Sequence, residues 1–256
     1  LSQGKAGSMP VVELSPEDMV QLATENNVDG ISYTYTEPTV FYEYAHDTGV
    51  LAKESGLYNA FVTNGYMETQ VIKDASKEFL TASRIDLKGD AEHYKKVCGN
   101  INLDGVLDTI KEYYKTGMHI EIITLVIPGD NDNKQTVEWM GDFIASLSKD
   151  IPWHFIRFFP TYKMTYVHPT STETLENMHD WAKEKGFNYV YSGNVPGHKY
   201  ENTYCPKCGE IAIERHGFGV SKSYLKGKPG AYKCKCGEKI PIVGEIKESE
   251  EVSPYL

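Results

Sequence analysis

Short apolar runs alternate with amphipathic stretches along most of this 256-residue chain. Residues 1–14 have no periodicity and contain Gly4, Gly7 and Pro10, which predicts a loop. Ser15-Pro16-Glu17-Asp18 then supplies an N-cap serine, a proline at the first helical position and two acids in the first turn. A helix is predicted from 16 to 27, followed by strand 30–35, helix 39–54, strand 58–63, helix 67–79 and strand 83–87. Beyond an irregular segment the pattern resumes as helix 104–117, strand 119–127, helix 134–148, strand 152–159, helix 171–186 and strand 188–192. Within the helix after Asn133, the residues Val137, Met140, Ile144 and Leu147 share one stripe at helical spacing. Such alternation, with connections long enough for crossovers, implies an α/β fold of parallel strands covered by helices. The opening loop and helix have no strand before them, so the sheet is expected to lack its first strand. The Gly30–Tyr35 strand or a neighbour would then present an unpaired edge.

Parallel strands point the same way, so the loops that follow them gather at one rim. Those loops read Thr34-Tyr35-Thr36-Glu37-Pro38, Thr63-Asn64-Gly65-Tyr66, Asp86-Leu87-Lys88-Gly89, Ile127-Pro128-Gly129-Asp130-Asn131-Asp132, Phe159-Pro160-Thr161-Tyr162 and Gly193 to His198. One catalytic face is therefore expected. Pro38 is explained by a helix start alone, whereas Glu37 beside three hydroxyls also suits a ligand ammonium. In Arg84-Ile85-Asp86-Leu87-Lys88, strand alternation puts the apolar pair on one face and the three charges on the other, either as a self-satisfied ladder or as part of a binding site. His119, Glu121 and His154 lie near strand starts, where a structural role is expected.

From about Tyr200 the composition turns to Gly, Lys and Cys, with strand-like pieces at Tyr224–Leu225 and Ile240–Val243. The spacing of Cys205-Pro206-Lys207-Cys208-Gly209 and Cys234-Lys235-Cys236-Gly237 suits a four-thiolate site, with zinc as first choice and an iron-sulfur cluster as second. The second pair has one intervening residue, so its turn must differ from the first. Cys98 stands alone and reads as a small core hydrophobe. These boundaries divide the chain into a barrel over 1–199, a zinc-ribbon-like module over 200–246 and an acidic tail over 247–256, expected to be frayed.

A formal net charge of −10, with Lys and Arg scattered along the sequence, argues against a nucleic-acid partner. No segment approaches a membrane span and no signal peptide is evident, which points to the cytoplasm.

Read in order, Tyr33-Thr34-Tyr35-Thr36-Glu37-Pro38, Phe61 to Tyr66, Ile85 to Gly89, Thr124 to Gly129 and Gly193 through Gly209 resemble the radical SAM family. Within it the match is to the radical SAM members of the AmmeMemoRadiSam system, relatives of the pyruvate formate-lyase activating enzymes. The resemblance implies a partial (βα)6 barrel in which a [4Fe-4S] cluster and S-adenosylmethionine (SAM) meet at the rim. The cluster cleaves SAM to a 5′-deoxyadenosyl radical, which abstracts hydrogen from a substrate whose class stays open, a protein included; an electron donor would serve the cluster. By position, Thr36-Glu37-Pro38 would take the family's Gly-Glu-Pro role beside the methionyl amino group, with Tyr35 also among the SAM-binding residues, and Thr63, Asn64, Asp86 and Lys88 would lie near the carboxylate. Two features depart from the family. Val62 stands where activating enzymes carry an Asp, and no Cys-x3-Cys-x2-Cys triplet occurs in residues 1–256. The resemblance thus implies a sequence beginning just after its cluster loop, unable as written to hold the cluster or cleave SAM. Two rival readings are a barrel that forms a Schiff base on Lys88 and a non-catalytic scaffold whose ribbon binds a partner.

Overall fold

The structure, a computed structural model, describes residues 12–248. Predictions for residues 1–11 and for the tail from 249 onward fall outside the described residues. In chain order the elements are α1 (Pro16–Glu25), β1 (Gly30–Tyr33), α2 (Tyr42–Glu54), β2 (Tyr58–Thr63), α3 (Thr69–Glu78), β3 (Ala82–Asp86), α4 (Ala91–Lys96), α5 (Leu103–Lys115), β4 (His119–Val126), α6 (Lys134–Leu147), β5 (Trp153–Arg157), α7 (Thr172–Glu184), β6 (Val190–Gly193), β7 (Thr203–Tyr204), β8 (Ile211–His216) and β9 (Gly219–Ser223). Among the described residues six parallel strands and seven α-helices make an α/β fold, and β7–β8–β9 form a separate antiparallel sheet. The described residues divide into two compact units, 12–87 with Cys98–Glu121, and Lys88–Val97 with 122–248.

In the first unit, α1 starts as its sequence dictates. Ser15 Oγ accepts from the Asp18 amide at 3.2 Å and the Asp18 carboxylate accepts from the Ser15 amide at 3.1 Å, a reciprocal capping box. β1, β2 and β3 pair in parallel, from Gly30 opposite Tyr58 to Thr63 opposite Ile85. Phe61 and Phe79 are buried edge to face at 5.8 Å. Burial of each such ring contributes about 2–3 kcal/mol. Beneath them the buried Asn59 accepts from Tyr33 Oη at 3.0 Å and donates to the carbonyls of Gly49 and Phe79 at 2.9 and 3.3 Å, so no amide group is left without a partner.

The second unit pairs β4 with β5 and β5 with β6, again in parallel, from Ile122 opposite Trp153 to Ile156 opposite Gly193. Trp153 is fully buried; its indole donates to Thr124 Oγ1 at 3.0 Å and its ring meets Phe155 and Phe187 at 4.7 and 5.2 Å. The apolar stripe of α6 buries Val137, Met140 and Ile144, while Leu147 at the helix end is half-buried.

Several sequence expectations are corrected. β1 ends at Tyr33, two residues early, because Tyr35 has a left-handed φ of 68° that stops an extended strand. The helix expected over 39–54 is split, a 3-10 turn at Pro38–Phe41 preceding α2. The β-branched Thr39 and Val40 favour α-helix weakly. The segment read as irregular contains α4, whose N-cap Asp90 accepts from the His93 amide at 3.0 Å. Tyr224–Leu225 and Ile240–Val243 are not strands; the strands are β8 and β9, joined at Gly217. Leu225, Ile240 and Ile242 pack instead around Cys205 and Cys234, and this burial explains their apolar character. Cys98 is half-buried rather than a core residue.

Candidate functional site

The first constellation belongs to the strand ends of the first unit. Glu37 precedes the Pro38–Phe41 turn at its N-cap position, yet its side chain makes no cap hydrogen bond. The carboxylate reaches instead to the loop after β2, where Oε1 accepts from Thr63 Oγ1 at 2.6 Å and Oε2 accepts from the Asn64 amide at 2.7 Å. Charge-assisted bonds of this length are about twice as strong as neutral ones. The loop is built to present those donors. Thr63 Oγ1 also accepts from the Gly65 amide at 3.1 Å, and Asn64 Oδ1 accepts from the Tyr66 amide at 2.8 Å. Gly65 has a φ of 77°, and a Cβ there would stand 2.9 Å from Ile85 Cγ2, so the turn admits only glycine without movement. Each carboxylate oxygen keeps a lone pair after these two bonds, enough to accept from an ammonium.

The other predicted residues are placed as follows. Tyr35 is 81% exposed and Thr36 is exposed; among the described residues neither side chain hydrogen-bonds. Tyr35 is held left-handed while the Thr36 amide donates back to the Thr34 carbonyl at 3.0 Å, a conformation that costs on the order of 1–3 kcal/mol for a non-glycine residue. Asp86 closes β3 and is half-buried; Ser83, Ile85 and Leu87 are buried while Arg84, Asp86 and Lys88 are partly exposed, which is the expected alternation.

Lys88 opens the second unit. Its amide donates to Tyr94 Oη at 3.3 Å and its carbonyl accepts from Asn131 Nδ2 at 2.6 Å. Asn131, only 1% exposed, also donates to the Leu125 carbonyl at 2.8 Å and accepts from the Ile127 amide at 2.7 Å. Beside it the buried His93 faces Asp130 at 2.8 Å, and burial pulls the imidazole below its usual range despite the opposing pull of Asp130. Glu201, also buried, accepts from the amides of Gly197 and Gly217 at 2.7 and 3.2 Å and so shapes the run into the ribbon. Reading the sequence missed Asn131, His93 and Glu201 as organisers. Asn131 and Glu201 act on backbone groups and His93 on Asp130, contacts for which spacing gives no signal.

The second constellation is the cysteine group. The sulfurs of Cys205, Cys208, Cys234 and Cys236 all lie within 4.8 Å of one another, with Cys205 to Cys236 and Cys208 to Cys234 at 3.6 Å. Four sulfurs at about 2.3 Å from one tetrahedral ion would stand about 3.8 Å apart, so the donor set fits such an ion. Two unequal turns present it. The Cys205 amide donates to the Glu210 carbonyl, whereas the Cys234 amide donates to that of Glu238, one residue nearer. Burial opposes the Cys205 thiolate, but the amides of Cys208 and Lys207 aimed at it bring the thiol down to about 7. The Cys236 amide favours the Cys234 thiolate, but burial together with the sulfurs of Cys205 and Cys236 outweighs it and pushes this thiol up, as expected when a second negative charge must form beside the first. A divalent ion removes that repulsion. Among the described residues this is the one group of three or more His, Cys, Asp or Glu side chains placed to hold a metal.

No helix among the described residues is long and apolar enough to cross a membrane.

A family model described as the Radical SAM superfamily matches residues 4–140. Over 245 residues, 95% of this chain and 72% of the relative, the sequence is 45% identical to the uncharacterized protein MJ0808 of Methanocaldococcus jannaschii. The fold is similar to a domain of pyruvate-formate lyase-activating enzyme from Bacteroides vulgatus, with a TM-score of 0.56 at 17% identity over 64% of this chain and 99% of that one. It is also similar to SuiB of Streptococcus suis bound to S-adenosylmethionine, with a TM-score of 0.57 at 13% identity over 73% of this chain and 45% of that one. The chain thus spans less than half of SuiB, and at these identities the likeness is one of fold.

Proposed function

Because this chain belongs to the Radical SAM superfamily, we propose that the strand ends of its first unit bind the methionyl part of S-adenosylmethionine, with Glu37 accepting from the ammonium. The observation that carries this reading is the Glu37 carboxylate, turned away from its own helix and fixed by Thr63 and the Asn64 amide with acceptor capacity left over. Preorganisation of this kind lowers the cost of binding a cation. In the superfamily, SAM together with an iron-sulfur cluster supplies radical hydrogen abstraction. The residues of this sequence fit the first of these groups and not the second. Its cysteines include no Cys-x3-Cys-x2-Cys set, and the four that converge do so in the ribbon, so no step through a cluster is assigned to residues 1–256. Among the described residues β1 pairs only with β2, which leaves an edge able to take one more parallel strand, as the partial-barrel reading requires.

The ribbon is proposed to hold zinc as a structural ion. Its four-thiolate set is closed, and Cys205 and Cys234 sit in a buried cluster with Tyr189 and Ile240. Free thiols kept available for a metal fit a reducing, cytoplasmic compartment. Calorimetric titration with SAM tests the central assignment. Saturable binding to the wild type with about tenfold loss in Glu37→Gln supports it, and equal affinities in the two proteins refute it.

A further inference from the structure

The cysteine module concentrates lysine within an acidic chain. Residues 200–246 hold seven lysines and one arginine against five glutamates, within a chain of net charge −10. Glu210 pairs with Lys235 at 3.2 Å, Glu238 with Lys207 at 3.8 Å and Glu214 with Tyr224 Oη at 3.3 Å, Glu201 is buried on the Gly197 and Gly217 amides, and Glu248 accepts from the Ser223 amide at 2.7 Å. Among the described residues Lys222, Lys226, Lys228, Lys233 and Lys239 have no carboxylate partner.

Three of these five stand on neighbouring rungs. Lys226 pairs antiparallel with Lys233, and Lys233 with Lys239. The first two exchange both backbone hydrogen bonds, at 2.9 and 2.8 Å. Like charges directly opposed on adjacent strands, about 4.8 Å apart, destabilise a sheet. All three are exposed, whereas Tyr232, Cys234 and Ile240 next to them in the chain are buried. Strand alternation therefore turns the lysine row away from Cys234, so it is not there to neutralise the thiolates. Two exposed aromatic rings precede the row along the chain. Phe218, 77% exposed, follows Gly217 at the β8–β9 turn, and Tyr224 follows β9 with Lys222 Nζ 5.1 Å from its ring. Six residue steps along β9 separate the two rings, about 20 Å of extended chain.

We infer that this face of the ribbon binds single-stranded nucleic acid, with phosphates on Lys226, Lys233 and Lys239 and bases stacked on Phe218 and Tyr224. Flexible lysines neutralise a phosphate backbone as point charges, and every base offers a flat face to an exposed ring. An acidic peptide would use the lysines and leave the rings without a role. The acidic remainder of the chain works against the complex, so affinity falls steeply as salt rises.

The test is fluorescence anisotropy of the full chain with a 5′-fluorescein-labelled 15-nucleotide oligouridine RNA. Saturable binding is expected at about 50 mM salt, with weakening at about 200 mM. The triple variant Lys226→Glu, Lys233→Glu, Lys239→Glu loses about tenfold or more, and Phe218→Ala about fivefold. Unchanged metal content shows that each variant's ribbon is intact. Should the triple variant lose metal, Lys233→Gln removes the central charge alone and is expected to weaken binding about threefold. The inference is overturned if no saturable binding occurs at low salt. It is equally overturned if the informative lysine variant binds as the wild type does, or if a labelled oligoglutamate peptide binds as tightly as the RNA.

Discussion

The strand ends of the first unit and the cysteine ribbon are two ways of preparing a site, and they differ in where their information lies. In the ribbon, four donors of one kind come from two short turns, Cys205 to Cys208 and Cys234 to Cys236, and their spacing alone announces a metal. At Glu37 the arrangement depends on a carboxylate and two donors from Thr63 and Asn64, about 27 residues away in sequence. A local motif therefore advertises its chemistry, whereas a site assembled from separate βα loops is seen only once the strands are in register. The energetics differ too. An ion must offset sulfur repulsion in the ribbon, while the Glu37 carboxylate is already held by two hydrogen bonds before any ligand arrives.

The largest effect that separates the two is expected from Cys205→Ser. Metal content measured by mass spectrometry should fall from about one equivalent to none, and proteolysis should cut the ribbon, because three thiolates no longer close the site. SAM affinity should stay within about twofold of wild type, since no residue of the Glu37 nest is touched.

The run that leads into the ribbon offers a pH test. His179 stacks on Tyr200 at 3.4 Å and pairs with Asp180 at 2.9 Å; burial outweighs that pairing and brings the imidazole down to about 4. An unfolded histidine titrates near about 6.5. Between those values the unfolded chain takes up a proton that the folded chain refuses, so stability is lost as pH falls from about 6.5 towards 4, by on the order of 2–3 kcal/mol. Denaturant unfolding of wild type and His179→Gln at pH 7 and pH 4.5 should show this loss in the wild type and a smaller one in the variant.

Glu37→Gln is the next smaller change, about 1.4 kcal/mol or tenfold in SAM affinity, with metal content unchanged. The smallest is Tyr35→Gly. Relief of the left-handed φ should raise stability by up to about 1 kcal/mol, read as a higher denaturation midpoint, with the Glu37 nest unaltered.

Much of the fold was legible because it rests on local chemistry. The Ser15 cap, the stripe of α6 and the alternation in β3 each follow from a few neighbouring residues. Helix α4 was missed because six residues show too little periodicity, and β8–β9 because the apolar pieces on either side of the second cysteine pair pack around the sulfurs rather than in a ladder. Among site residues the cysteines came from spacing and Glu37 from its place at the rim beside hydroxyls, while Thr63 and Asn64 came from resemblance; hydrogen bonds bring these three together. Asn131 and Glu201 carried no signal, because each acts by satisfying backbone groups, which no side-chain pattern reveals.

The most direct test of the account is to titrate wild type and Glu37→Gln separately with methionine and with adenosine. If Glu37 holds the methionyl ammonium, the variant loses about tenfold towards methionine and nothing towards adenosine. Equal methionine affinity in the two proteins would contradict the account.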